Sequence, residues 1–128
     1  MDLIVDTTVL IDLWRSKGRL KIRAEESLSL GLPWVGKAEF LRGAVLAGHA
    51  PNVVQSMLVR FEVIWPREKT LALYAQTWAH LRKGGNTIGV HDLWIAVCGL
   101  EHGKPVWTRN TEEFRKVPDL KVVESTVS

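Results

Sequence analysis

The sequence predicts an α/β protein whose mainly parallel, five-stranded sheet is covered by helices on both faces. Three features predict it. Short apolar runs such as Leu3-Ile4-Val5 do not alternate with polar residues, as strands buried on two faces require. Longer amphipathic segments stand between those runs. Glycine and proline punctuate the joints.

Taken in order, the first strand is expected at residues 3–6, and a helix at residues 7–14 with Thr7 and Thr8 as cap candidates. A second helix is expected over residues 20–28, then a strand at "LPWV", residues 32–35, after Gly31. In "KAEFLRGAVLAG" the residues Ala38, Leu41, Ala44 and Val45 recur at helical spacing, and Gly48 is a stop. Pro51 suits the first position of a helix in "PNVVQSMLVRF". "EVIW", residues 62–65, is a third strand ended by Pro66. A long helix follows over residues 67–83 and closes at Gly84 and Gly85. An apolar helix covers residues 90–103, "PVWT" at 105–108 is a fourth strand, and "KVV" at 121–123 a fifth. Strands separated by helices give βαβ units. Sites in such sheets form beyond the carboxyl ends of the strands, near the switch in strand order.

The chain of 128 residues fits one domain, residues 1–128, and its 46% apolar content argues against global disorder. The single Cys98 excludes an internal disulfide and reads as a small buried hydrophobe. No apolar run approaches the ~20 residues that span a bilayer. Asp2 and Asp6 stand where a signal peptide needs basic and apolar segments. These features predict a cytoplasmic protein without a membrane partner. Net charge is +3. The segment "RSKGRLKIR" carries Arg15, Lys17, Arg19, Lys21 and Arg23 without an acid, so it reads either as a phosphate-binding stretch or as a solvated loop.

The acids are the chemistry. Asp6 ends an apolar strand, either as a helix cap or as a metal ligand at the sheet's carboxyl edge. Glu39 is expected near the first turn of its helix, where the dipole also favours it, and Gly43 at i+4 leaves room beside it. Asp92 has Ile95, Ala96 and Gly99 at i+3, i+4 and i+7, so it begins a stripe directed at the core. A carboxylate there needs a partner or a cation. "TRNTEEF", residues 108–114, brings Thr108, Asn110, Glu112 and Glu113, as ligands or as a capped helical turn. Hard oxygens without Cys or paired His ligands suit Mg²⁺ or Mn²⁺ rather than zinc. His91 beside Asp92 reads as a surface or supporting residue.

The order "IVDTTVLIDL", "KAEFLRGA", "IGVHDLWIAV", "VWTRNTEEF" resembles the PIN domain, and within it the VapC-type toxin ribonucleases of toxin–antitoxin pairs, over essentially the whole chain. The resemblance implies a three-layer α/β/α sandwich and Mg²⁺- or Mn²⁺-dependent cleavage of RNA by metal-activated water, leaving 5′-phosphate and 3′-hydroxyl ends. It places Asp6, Glu39 and Asp92 as the first three acids and metal ligands. Asn110 stands where a fourth acid is common, and Glu113 is the candidate to supply the missing charge. Thr7 and Thr108 match the small hydroxyl residues flanking the acids. Arg15, Lys17 and Arg19, with Arg42 and Arg109, are candidates to hold the RNA backbone. The resemblance also implies a cognate antitoxin and a homodimer. Of the six tryptophans, Trp14 and Trp78 are candidates for those interfaces, and the set as a whole reads mainly as packing.

Three rivals remain at this point. A receiver-like signalling domain needs an Asp after the third strand, and "EVIWP" has none. A catalytically weak PIN-like module that binds RNA or protein is expected to have lost acids, and three remain. A DNA nuclease of the same fold stays open.

Overall fold

A computed structural model describes residues 1–16 and 28–125. The elements run β1 (Leu3–Val5), α1 (Thr7–Ser16), β2 (Leu30–Pro33), α2 (Trp34–Leu46), α3 (Pro51–Leu58), β3 (Glu62–Ile64), α4 (Glu68–Lys83), α5 (Val90–His102), β4 (Val106–Thr108), α6 (Thr111–Phe114) and β5 (Val122–Glu124). The helix expected over residues 20–28 lies almost wholly outside the described residues. Among the described helices none is long and apolar enough to cross a membrane.

All five strands are parallel and stand in the order β3-β2-β1-β4-β5. Successive side chains of a strand face opposite ways, and two cores result. On one face Leu3 and Val5 pack with Val9, Leu10, Leu32, Phe40, Leu58 and Trp107. On the other Ile4 packs with Leu93, Ile95, Val97, Val106 and Phe114. The first core takes α1, α2 and α3, and the second takes α4, α5 and α6, which gives three layers. Strand order reverses between β1 and β4: Ile4 pairs with Val106 and Val5 with Trp107. The switch point therefore lies between the carboxyl ends of these two strands.

The second strand differs from the expectation. It occupies Leu30–Pro33, and Trp34 and Val35 already belong to α2. Gly31 is not a breaker but a strand residue in a tight place, where a Cβ would meet Met1 Sδ at 2.6 Å and Ile64 Cδ1 at 3.0 Å. Pro33 then ends the strand with extended torsions, and the helix starts directly after it. The third strand likewise stops at Ile64, one residue before Trp65. Trp34 and Trp94 meet edge to face at 5.1 Å, and Trp94 stacks on Tyr74 at 3.8 Å, so these two tryptophans serve packing.

Candidate active site

Asp6 follows β1 and is almost fully buried at 2% exposure. Its backbone N–H donates to the Trp107 carbonyl at 3.0 Å, which fixes it beside β4. Its carbonyl accepts from Val9 and Leu10, so it does occupy the cap position of α1. The carboxylate does more than cap. Oδ1 accepts from the Thr7 N–H at 2.8 Å, while Oδ2 accepts from the Thr8 hydroxyl at 2.8 Å and the Thr108 hydroxyl at 2.7 Å. The last bond spans the switch point. Three neutral donors hold the group still and leave its charge without a cation.

Asp92 is in the first turn of α5, and the stripe that it begins is buried at Ile95, Ala96 and Gly99. Its carboxyl is pushed up from 3.8 to about 6, first by burial and then by the charges of Asp6, Glu113 and Glu39, with His91 pulling the other way. Those four carboxylates come from the junction of β1 and α1, from α2, from α5 and from α6. Their charges converge on Asp92, and this acidic cluster is called the cup. Asp92 has no hydrogen bond or ion pair among the described residues.

Glu39 does not sit in a first turn, because α2 begins at Trp34, five residues earlier. The dipole therefore does not account for it. Its Oε2 lies 2.9 Å from His91 Nδ1, so His91 is the supporting residue of this acid. Asn110 precedes α6 without a side-chain cap bond, and its backbone N–H donates to Thr108 Oγ1 at 2.8 Å. Thr108 thus links Asn110 to Asp6. Glu113 Oε1 accepts from Lys116 Nζ at 2.7 Å, and the same ammonium donates to the Thr87 carbonyl at 3.2 Å.

Of the candidate phosphate-binding residues, Arg15 and Arg42 are exposed. Arg109 has its Nε 2.8 Å from Asp12 Oδ2, so it is partly engaged within the fold. Lys17 and Arg19, with Lys21 and Arg23, lie outside the described residues. Sequence reasoning missed Asp12 and Lys116. The signal for Asp12 was an acid between Ile11 and Leu13, and for Lys116 its i+3 spacing from Glu113.

No family model matches the chain. Individual relatives do. Ribonuclease VapC1 of Haemophilus influenzae strain R2866 is 32% identical over 129 residues, covering 92% of this chain and 93% of its own. The chain belongs to the VapC family of PIN-domain toxins. Ribonuclease VapC of Rickettsia bellii is 31% identical, with 96% of both chains covered. The solved VapBC-1 from nontypeable Haemophilus influenzae superposes with a TM-score of 0.83 at 25% identity, over 97% of this chain and 98% of that one. DNA-bound VapBC from Salmonella typhimurium shares the fold at a TM-score of 0.86 and 22% identity, over 97% and 98%.

Among the described residues no three His, Cys, Asp or Glu side chains stand close enough to enclose a metal ion by themselves. The donors of the VapC cup are nevertheless of the type that a hard divalent cation takes. They are oxygens, the cup's two aspartates contact no cationic side chain among the described residues, and burial together with the neighbouring acids holds the Asp92 carboxyl above its ordinary value. Mg²⁺ is commonly held by one or two carboxylates with water completing its shell. Beside this VapC cup runs an apolar trench. One cavity of about 350 Å³ is lined by Ile11, Trp14, Phe40 and the cup residue Glu39. A second of about 520 Å³ continues along Trp14, Val53 and Met57. Trp14 stands between them, edge to face with Phe40 at 5.6 Å and with His49 at 5.1 Å.

Proposed function

We propose that this VapC-family chain is a Mg²⁺- or Mn²⁺-dependent endoribonuclease, the toxin of a toxin–antitoxin pair. One observation carries the reading: Asp6, Glu113 and Glu39 act on the Asp92 carboxyl from three other parts of the fold, and Asp6 and Asp92 contact no cationic side chain among the described residues. Such crowding is costly unless a cation relieves it.

Asp6, Asp92 and Glu39 are the residues that would hold the ion. When bound, it supplies a more acidic water and a counter-charge for the phosphate oxygens. Asp6, fixed by Thr7, Thr8 and Thr108, sets the position of the site. Thr108 keeps Asn110 beside it, and Asn110 and Glu113 border the place of the scissile phosphate. Arg42, three residues beyond Glu39 on α2, and Arg15, which lines a cavity with Glu39, hold the flanking RNA backbone. The products carry 5′-phosphate and 3′-hydroxyl ends.

The trench at Trp14 is the place for the antitoxin. It is apolar, it carries Arg15 and His49 on its walls, and it opens at Glu39. An amphipathic segment laid there covers the cup. The curated relatives are named ribonucleases and the solved neighbours are VapBC complexes, which supports both halves of this reading. The homodimer belongs to the same proposal, and light scattering of the isolated chain tests it.

The decisive experiment is cleavage of structured RNA with and without Mg²⁺, by wild type, Asp6→Asn and Asp92→Asn. Each substitution is expected to lower the rate by about 10²–10³-fold. Activity that survives both substitutions and chelation with EDTA overturns the metal-dependent mechanism.

A further inference from the structure

The four acids of the cup are not equivalent. The two aspartates have no cationic partner, whereas each glutamate has one: His91 Nδ1 at 2.9 Å from Glu39 and Lys116 Nζ at 2.7 Å from Glu113. Of these partners Lys116 carries a permanent charge at neutral pH. An exposed i,i+3 ion pair normally contributes little. This one has a second anchor. The Lys116 ammonium also donates at 3.2 Å to the Thr87 carbonyl, in the loop that leads into α5 and Asp92. Two acceptors from distant segments hold the ammonium where it occupies one oxygen of Glu113.

We propose that Lys116 is a positioning residue that competes with the cup's divalent cation, holding Glu113 on the rim and leaving the ion to Asp6, Asp92 and Glu39. The glutamate's longer arm reaches an ammonium that the aspartates do not. Glu113 still acts on Asp92 as a negative charge, and the Lys116 ammonium beside it offsets part of that field. An ion approaching Asp92 therefore meets a weaker field than four free carboxylates would make, and to use Glu113 it must displace the ammonium. The rim lysine thus sets a loose cation affinity in place of a tight one. It also keeps the fourth acid ordered while the ion exchanges.

This inference rests on the reading of the cup as a cation site, and the experiment separates the two. Mn²⁺ binding to the full chain is measured by calorimetry and by the electron paramagnetic resonance of free Mn²⁺, without RNA. Lys116→Gln keeps a donor for the Thr87 carbonyl and removes the charge. It is expected to tighten Mn²⁺ binding by about 3–10-fold, the effect of one uncompensated carboxylate a few ångströms from the ion. Lys116→Arg is expected to stay within about twofold of wild type, because the charge is retained. Glu113→Gln is expected to weaken binding, and the double variant Lys116→Gln/Glu113→Gln to return close to wild type. The proposal is overturned if Lys116→Gln leaves affinity unchanged or lowers it, or if the double variant binds as tightly as Lys116→Gln alone. Asp6→Asn reports on the cup itself, with a loss of at least about tenfold expected. If Asp6→Asn binds Mn²⁺ like wild type, or if wild type binds none, both the cup reading and the role of Lys116 fall.

Discussion

Asp92 binds its proton more tightly in the folded chain, near pH 6, than at its ordinary value of 3.8. Its contribution to stability is therefore complete below about pH 3.8 and is lost as pH rises through 6. At neutral pH the ionised group works against folding. Asp92→Asn should accordingly stabilise the metal-free chain at pH 7.5 by about 1–2 kcal/mol, allowing for water that screens the cup. Thermal melts at pH 7.5 and pH 4 check this, since the advantage should shrink at the lower pH; an Asn variant that melts earlier at pH 7.5 refutes it. Glu101, at the other end of α5, has the opposite sign. Burial alone would raise its carboxyl, but hydrogen bonds from Thr70 at 2.6 Å and Arg67 at 2.9 Å, with the charge of Arg67, hold it below the usual range. It stabilises above its ordinary pKa and loses that effect as acid protonates it. Glu101→Gln should therefore lower the melting temperature at pH 7.5, with the difference fading in acid. Both acids stood in plain view in the sequence. Only Asp92 was legible as unusual, because its i+3, i+4 and i+7 neighbours are apolar. The carboxylate of Glu101 depends on Arg67 and Thr70, more than thirty residues away. No local pattern shows that.

The elements were legible where periodicity and punctuation agree. Gly103 ends α5 in the left-handed conformation, φ 63°, at the place where the sequence puts a stop. The second strand was misread because a glycine was taken as punctuation when its role is close packing. Gly99 plays the same part inside α5. A Cβ there would meet Leu120 Cδ1 at 2.7 Å, Val106 Cγ2 at 3.0 Å and the Lys104 carbonyl at 3.1 Å. The glycine therefore sets how near α5 lies to β4, and hence where Asp92 stands relative to Asp6. Leu120 can yield, but the Lys104 backbone cannot do so cheaply. Gly99→Ala should destabilise by about 1–3 kcal/mol despite alanine's better helix propensity. Urea melts decide it: no shift in the midpoint means that α5 has slack against the sheet. Gly43, on the exposed side of α2, is the control, since a Cβ there meets nothing within 4 Å. Gly43→Ala should be neutral or slightly stabilising.

Across the whole molecule, a net charge of +3 coexists with an acidic cup, so positive charge elsewhere outweighs the acids. The sequence showed that surplus of charge but not its division of labour. Arg42 and Arg109 look alike in the chain. In the fold Arg42 is exposed on the helix that carries Glu39, while Arg109 has its guanidinium against the buried Asp12. The two should respond differently. RNA binding is measured with Asp6→Asn as background, so that RNA is held without being cut. There Arg42→Ala should weaken affinity and reduce the slope of log K against log salt by about 0.7, the loss of one phosphate contact on a single strand. Arg109→Ala leaves the Asp12 carboxylate buried and unpaired, which costs folding stability. It should lower the melting temperature while changing the salt slope less than Arg42→Ala does. If Arg109→Ala instead takes the larger share of the slope with its melting temperature intact, then Arg109 faces the RNA, and the Asp12 contact gives way when RNA binds.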